Sequence, residues 1–452
     1  MSAAGAGGSG ATGGSGKFLR DAGALKLAGG VNQIGQLASA VALAFLLGAR
    51  DQGLYVSAVA LHAFGHCLIH VGVPQVTASQ ISANVARESW DKVASWIAFL
   101  AKAHLGFAVL LVGAGFACFP WIAETWLGDR RIGVWGSWLC LGALLEVPRD
   151  VARVALQGTR RMGVLARIEN AQEVVRFFLI VVGALIAGGP AGAVLGSLAA
   201  TATSSLMAIS IYREARGDGG APLPAVGDVL GRLRDVPLRR GLRQGVRIAL
   251  MKNAGTLALS VLPRLLVQGL AGPRMVAYFH IAHRLMSVPF VISTAVSRTA
   301  LPAMAEQVGR RDLPAYRRLF VRASLGTGLG ISAVLALGLS FVPELVRVGF
   351  PDDYVEPVTR FSWILALGTA LTAFGCCTEA FFVTANQVRA LYTLAVVGLL
   401  VAIPAAAYLA WEVEVTGPAW AVVVVHSWTL VELTYALLFL RPRPGAPLPW
   451  EA

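Results

Sequence analysis

The chain has little charge. Asp, Glu, Lys and Arg make up 14% of its 452 residues, whereas 56% are hydrophobic. Soluble domains carry about a quarter charged residues, so this composition excludes an ordinary water-soluble domain and fits a bilayer. Cysteine is scarce too. Cys67, Cys118, Cys140, Cys376 and Cys377 all lie in apolar runs without CxxC or metal-ligand spacing, so they read as reduced packing residues, with no disulfide and no metal expected. No GxxxxGK[ST] loop, no HExxH and no large polar domain is present. Neither a single-chain ATP-driven pump nor a soluble enzyme is therefore expected, nor a catalytic residue or a cofactor.

Acids are fewer than bases, which leaves a net charge of +13. Such an excess could suggest nucleic acid, but the positions of the bases point elsewhere. A spanning helix needs roughly 20 apolar residues, and twelve segments qualify, at about 22–48, 52–80, 93–119, 132–156, 166–187, 190–212, 244–270, 274–304, 315–345, 354–384, 389–410 and 416–440. With the N-terminus on the cytoplasmic side, the basic residues collect in alternate segments. These hold Lys17, Arg20 and Lys26; Arg87 and Lys92; Arg160, Arg161 and Arg167; seven arginines from Arg213 to Arg243; five from Arg310 to Arg322; Arg389; and Arg441 and Arg443. Topology alone explains the excess, so no nucleic-acid partner is expected, and both termini are placed in the cytoplasm.

Residues 1–16 read as a flexible Gly/Ser/Ala tail that lacks the pattern of a signal peptide, and 443–452 as a short C-terminal tail. Residues 213–240, polar and rich in Gly and Pro, read as a cytoplasmic linker between six-helix lobes at 17–212 and 241–442. The halves resemble each other. GGPAGAV at 188–194 matches TGPAWAV at 416–422, and the same offset carries Arg161 onto Arg389; Tyr55 and Tyr278 each precede an arginine, Arg87 and Arg310, by 32 residues. An even number of helices per copy gives a parallel repeat about an axis along the membrane normal, with a cavity between the lobes.

Polar residues inside spans are the functional clue, because a charge in lipid costs roughly 2.5–3.5 kcal/mol on insertion scales. Spans 7 and 8 carry Lys252, Asn253, Ser260, Arg264, Gln268, His280, His283, Arg284 and Ser287; span 1 carries Asn32, Gln33, Gln36 and Ser39; span 2 carries His62, His66 and His70. As the first helix pair of each repeat, these four spans are expected to face one another across a polar, cationic cavity. Arg264, Arg284 and Lys252 have no acid at i±3 or i±4. An anionic ligand is the simplest partner, arginine's fork being suited to phosphate oxygens, although snorkelling or bonding to carbonyls is the plainer alternative. Zinc does not fit residues 62, 66 and 70, which climb about 12 Å of helix; they line the cavity or bond a neighbouring helix. Glu146, Glu379 and Glu432 are candidates for a coupling ion, whereas Glu173 reads as an ion-pair partner of Arg176. Pro74, Pro263, Pro289, Pro302 and Pro404 are expected to kink helices or sit near their ends.

Three stretches carry a family likeness: "LLGARDQGLYVSAVAL", "LPAMAEQVGRRDLPAYRRLF" and "TANQVRALYTLAVVGLLVAIPAAAYLAWEVEVTGPAWAV". Together with two six-helix lobes they resemble the polysaccharide flippases of the multidrug/oligosaccharidyl-lipid/polysaccharide exporter superfamily, over about residues 17–442. The resemblance implies an all-α inner-membrane protein of bacteria working by alternating access. Its substrate would be an undecaprenyl-pyrophosphate-linked oligosaccharide, and its other partners membrane lipids, a polysaccharide polymerase and assembly proteins. Arg264 and Arg284, then Lys252 and the span 2 histidines, match the family's cationic cavity by position. Fourteen helices are usual in the lipid II flippase branch, and twelve argue against it. Two other readings stay open. One is a cation-coupled multidrug or small-molecule exporter of the same superfamily, which would normally want acids in spans 1, 2, 7 and 8. The other is a scaffold for glycan assembly that docks partners on its basic loops.

Overall fold

A computed structural model describes residues 11–69, 73–85, 87–217, 223–238, 242, 253, 256–310, 312–385 and 387–439. Helices fall on all twelve expected spans, and no strand occurs among the described residues. In the N-terminal half they are α1 (Ala11–Ile69), α2 (Val73–Val85), α3 (Trp90–Trp126), α4 (Arg130–Gly158), α5 (Met162–Ala187) and α6 (Gly189–Gly217), followed by the short α7 (Val226–Arg232). The second half has a π-helical turn at Leu257–Val261, then α8 (Leu262–Ala271), α9 (Pro273–Ser287), α10 (Phe290–Gly309), α11 (Leu313–Gly349), α12 (Val355–Phe374), α13 (Thr378–Thr384), α14 (Val388–Glu412) and α15 (Gly417–Phe439). Seven described stretches are long and apolar enough to cross a membrane by themselves, Asn32–Leu68 among them. The molecule is an all-α integral membrane protein of two six-helix lobes in a parallel repeat.

Several boundaries differ from the sequence reading for identifiable reasons. Spans 1 and 2 form one helical run bent at Gly48, whose φ of 70° and ψ of 170° suit a residue without Cβ. The polar ARDQG junction therefore stays helical on either side of a kink instead of forming a loop. Among the described residues α1 already includes 11–16, which continue an existing helix and need no new nucleation; residues 1–10 and 440–452 lie outside the described residues. Span 8 is broken at Val288 and Pro289, and span 10 at Gly375–Cys377, where a Cβ on Gly375 would lie 1.8 Å from the Thr429 methyl of α15. Pro263 has the clearest local effect. A proline has no N–H and its ring crowds the carbonyl four residues back, here Leu259, and the helix accommodates this by widening into the π turn just before it. Pro74 starts α2, while Pro302 and Pro404 are carried within α10 and α14.

The linker is not a free tether. Helix α7 docks on the N-terminal lobe, burying Leu223 and Val229 in the core cluster of α3, α4 and α6. Arg232 pairs with Asp91 at 2.8 Å, and Lys102 donates to the Val236 carbonyl at 3.0 Å.

Small residues set how closely helices approach within a lobe. Along α5 and α6, a Cβ on Gly196 would stand 2.2 Å from the Leu179 carbonyl oxygen and one on Gly183 2.4 Å from that of Gly192. Backbone contact of this kind is the main packing device between helices in lipid. Gly196→Val is expected to force the pair apart at a cost of about 1–3 kcal/mol or more, read as an earlier thermal unfolding transition in detergent. An unchanged transition would mean that α6 slides freely against α5.

The two lobes share a core. Ala40, Ala44, Ala49 and Val56 of α1 pack with Val267, Val276, Phe279, Leu335 and Phe361 of the second half. Helix α1 thus belongs to both lobes, and the polar groups it carries are the ones that meet the partner lobe.

Candidate functional site

One face of the molecule is sealed by contacts between the lobes. At this end a Cβ on Gly53 would lie 1.7 Å from the Pro273 carbonyl oxygen, a distance only glycine tolerates. Buried Gln52 donates to the Ala40 carbonyl at 2.8 Å and accepts from the Tyr354 hydroxyl at 2.9 Å. The Tyr278 hydroxyl donates to Asp353 at 3.0 Å, and its ring meets that of Tyr354 edge-on. Gln268 accepts from the Ser57 hydroxyl at 2.8 Å and donates to the Leu127 carbonyl at 3.2 Å. Both ends of the Gln268 amide are thereby used in bonds between the two halves. Leu127 is held in place by the next turn, where Asp129 caps α4. Arg131 bonds that carboxyl through its guanidinium and its backbone N–H, holding it below the usual carboxylate range.

Beneath the seal lie the arginines. Arg264 is seven residues from the end of α8 and Arg284 eleven from the start of α9, depths of about 10 Å and about 17 Å at ~1.5 Å per residue. Measured from the turn that joins the two helices, those depths approach the middle of a hydrocarbon core roughly 30 Å thick. Arg264 is buried at 8% exposure, and its Nη1 donates to the Ser260 hydroxyl at 3.0 Å. Arg284 Nη1 donates to Gln36 of α1, whose own amide donates to Asn32. Arg264, Arg284, His280 and His283 are all within electrostatic reach of one another. His283 bonds the backbone of Leu259, the residue whose carbonyl Pro263 crowds. The π turn and the histidine are therefore two parts of one arrangement.

What remains unsatisfied is informative. Arg264 Nε, Arg284 Nε, His280 Nδ1 and His283 Nδ1 are buried without hydrogen-bond partners. Buried polar atoms are normally paired; the two guanidinium N–H groups mark a place where ligand oxygens would be well received, and the imidazole nitrogens one where water would be. Among the described residues neither arginine forms an ion pair, but Arg284 does face an acid from a neighbouring helix. Glu173 of α5, buried, is also bonded by Gln36 and pairs with Arg176 at 2.8 Å. The expected Glu173–Arg176 pair is present, and its electrostatic reach to Arg284 is an addition that spacing along one helix does not reveal.

The other expected site residues scatter. Asn253 donates to the Cys67 carbonyl at 2.8 Å, a further bond between spans 7 and 2. His62 and His66 lie ring to ring at 6.1 Å. His66 lines a cleft inside the N-terminal lobe, with His104, Glu146 and Asp150, away from the arginine pair. Glu146 pairs with Arg149 at 3.1 Å. Exposed Glu379 on α13 and half-buried Glu432 on α15 face each other. His70 and Lys252 lie outside the described residues.

The pattern of a family described as "Polysaccharide biosynthesis protein" matches residues 18–308. Among solved structures, an inward-facing multidrug resistance MATE family transporter of the MOP superfamily is 16% identical over 90% of this chain and 93% of its own, with a TM-score of 0.71. A eukaryotic MATE transporter is 14% identical over 94% and 97%, with a TM-score of 0.65. An outward-facing MATE transporter of the MOP superfamily is 16% identical over 92% and 94%, with a TM-score of 0.61. At such identities the likeness is one of fold. No curated protein matches the chain.

Proposed function

The chain belongs to the polysaccharide biosynthesis protein family, and from that premise we propose that it is a flippase for a polyprenyl-pyrophosphate-linked oligosaccharide in the bacterial inner membrane. The single observation that carries this reading is the Arg264/Arg284 pair with its four orphaned nitrogens near mid-membrane. A diphosphate brings several anionic oxygens to one place, and guanidiniums answer it with forked donors. An ordinary cationic drug would be repelled by the same groups.

In this reading the sealed face is the outer one and both termini are cytoplasmic, as the basic loops suggest. The headgroup enters from the cytoplasmic side, neutralises the arginines, and leaves outward once the lobes rock about their shared core. The protein carries out no covalent chemistry, and coupling falls to acids away from the arginines, with Glu146, Glu379 and Glu432 as the candidates. The C-terminal pair, Glu379 and Glu432, is the better placed to share a cation, since Glu146 already has Arg149.

Native mass spectrometry of the protein in mild detergent tests the substrate. Wild type is expected to retain a polyprenyl-pyrophosphate adduct that Arg264→Ala/Arg284→Ala loses. No adduct in wild type, even with added lipid, would instead favour export of a soluble solute.

A further inference from the structure

A second polar cluster sits within the N-terminal lobe. His66 of α1, His104 of α3, and Glu146 and Asp150 of α4 line a cleft of about 30 Å³, with Phe107 and Leu111 on its apolar side. That is room for about one water. Buried His104 presents Nδ1 to the Asp150 carboxylate at 3.9 Å. Arg149, 7% exposed at its side chain, bridges Glu146 at 3.1 Å and Asp150 at 3.4 Å. Arg153 approaches Asp150 at 3.6 Å and Glu169 of α5 at 2.9 Å.

Charge bookkeeping around the cleft gives an odd result. The neighbouring α2, VPQVTASQISANV, brings no ionisable group; His62 stands one turn from His66; Lys102 is turned to the linker carbonyls. With neutral imidazoles, three carboxylates, Glu146, Asp150 and Glu169, face two guanidiniums, Arg149 and Arg153. Among the described residues one negative charge is left over inside the lobe, where an unbalanced charge is costly. Two imidazoles stand beside it.

We infer that this cleft is a proton-binding site, in which the His66/His104 pair takes one proton from water in the cleft and holds it against Asp150. The imidazole becomes imidazolium, hydroxide is left to the bulk buffer, and the cluster reaches neutrality. The site is mechanically connected. His66 precedes Cys67, whose carbonyl accepts the inter-lobe bond from Asn253, and the same limb of α1 carries Ser57 to Gln268. A charge gained at His66 therefore acts on the helix that joins the lobes. Its use in driving transport rests on the flippase reading; the binding of the proton does not.

The test is a histidine titration of the full chain in lipid nanodiscs, with ¹³Cε1-labelled histidine followed by NMR from about pH 9 to about pH 5 and signals assigned through His66→Gln and His104→Gln. The expected result is uptake of one proton shared by the two rings, bound about tenfold less tightly in Asp150→Asn or Glu146→Gln and unchanged in Glu379→Gln. Rings that both stay neutral throughout, or a titration indifferent to the two carboxamide variants, would overturn the proposal. Wild type alone decides the first point if a variant fails to fold. A bound proton without a polyprenyl-pyrophosphate adduct would sink the flippase and leave the site standing; an adduct with neutral rings would do the reverse.

Discussion

On the flippase reading, substituting glutamine for both Arg264 and Arg284 is expected to abolish transport while leaving the protein at least as stable as before. Each guanidinium offers a charge-assisted hydrogen bond to phosphate worth about 1.5–3 kcal/mol. Losing two weakens substrate binding by roughly 3–6 kcal/mol, or about 10²–10⁴-fold. Stability should move the other way. Arg264 is buried with an unpartnered Nε and, among the described residues, no ion-pair partner, so neutralising it removes a desolvation cost. Arg284→Gln leaves Glu173 with Arg176 and Gln36, so no naked carboxylate is created. The measurement is twofold: accumulation of lipid-linked oligosaccharide in cells carrying the variant, and its thermal unfolding in detergent. Unimpaired transport defeats the arginine site. A large loss of stability would show instead that the arginines hold the helices together.

Gly53→Val is expected to disable the protein by a different route. The added Cβ meets the Pro273 carbonyl oxygen at 1.7 Å, and this is backbone on both sides, so no rotamer change relieves it. Gln52, its neighbour in sequence, is bonded to both Ala40 and Tyr354, which leaves the chain little freedom to back away. A clash costing more than about 3 kcal/mol shifts a two-state equilibrium more than about 100-fold, so the variant should populate a state opened at this face. Labelling of Ser57→Cys in a cysteine-free background reads the shift, because Ser57 is buried against Gln268 when the face is sealed. Faster labelling with an intact fold is the expected outcome. Labelling as slow as in the parent would mean that the lobes do not close on Gly53.

The spans were legible in the sequence because a 20-residue apolar average is insensitive to detail, and the breaks within them were hidden for the same reason. Val288 and Pro289 interrupt span 8 without changing its mean hydropathy, and the turn at Gly375–Cys377 interrupts span 10 where a glycine lies against a threonine of α15. Arg264, Arg284, His280 and His283 could be grouped because they lie on consecutive helices. Glu173 could not be added, since its approach to Arg284 depends on which face α5 turns to α1. Nor was the fate of Gln268 readable: whether an amide lines a cavity or seals a face depends on partners 141 and 211 residues away. His104 could not be joined to Glu146 and Asp150 of span 4, since only the packing of α3 on α4 brings it to them and to His66.

The length of these contacts has a consequence for biogenesis. Gln52 must wait 302 residues for Tyr354, and Ser57 must wait 211 for Gln268. At about 5–20 residues per second, the first lobe spends roughly 15–60 s in the membrane with its partner-facing amides unanswered. During that interval the nascent half exposes to lipid a surface meant for protein. Its polar groups must be sheltered by an insertion chaperone, by water, or by a provisional packing that the second half later displaces. Release of the first half alone, as a truncated product, is therefore expected to leave a substrate for membrane quality control.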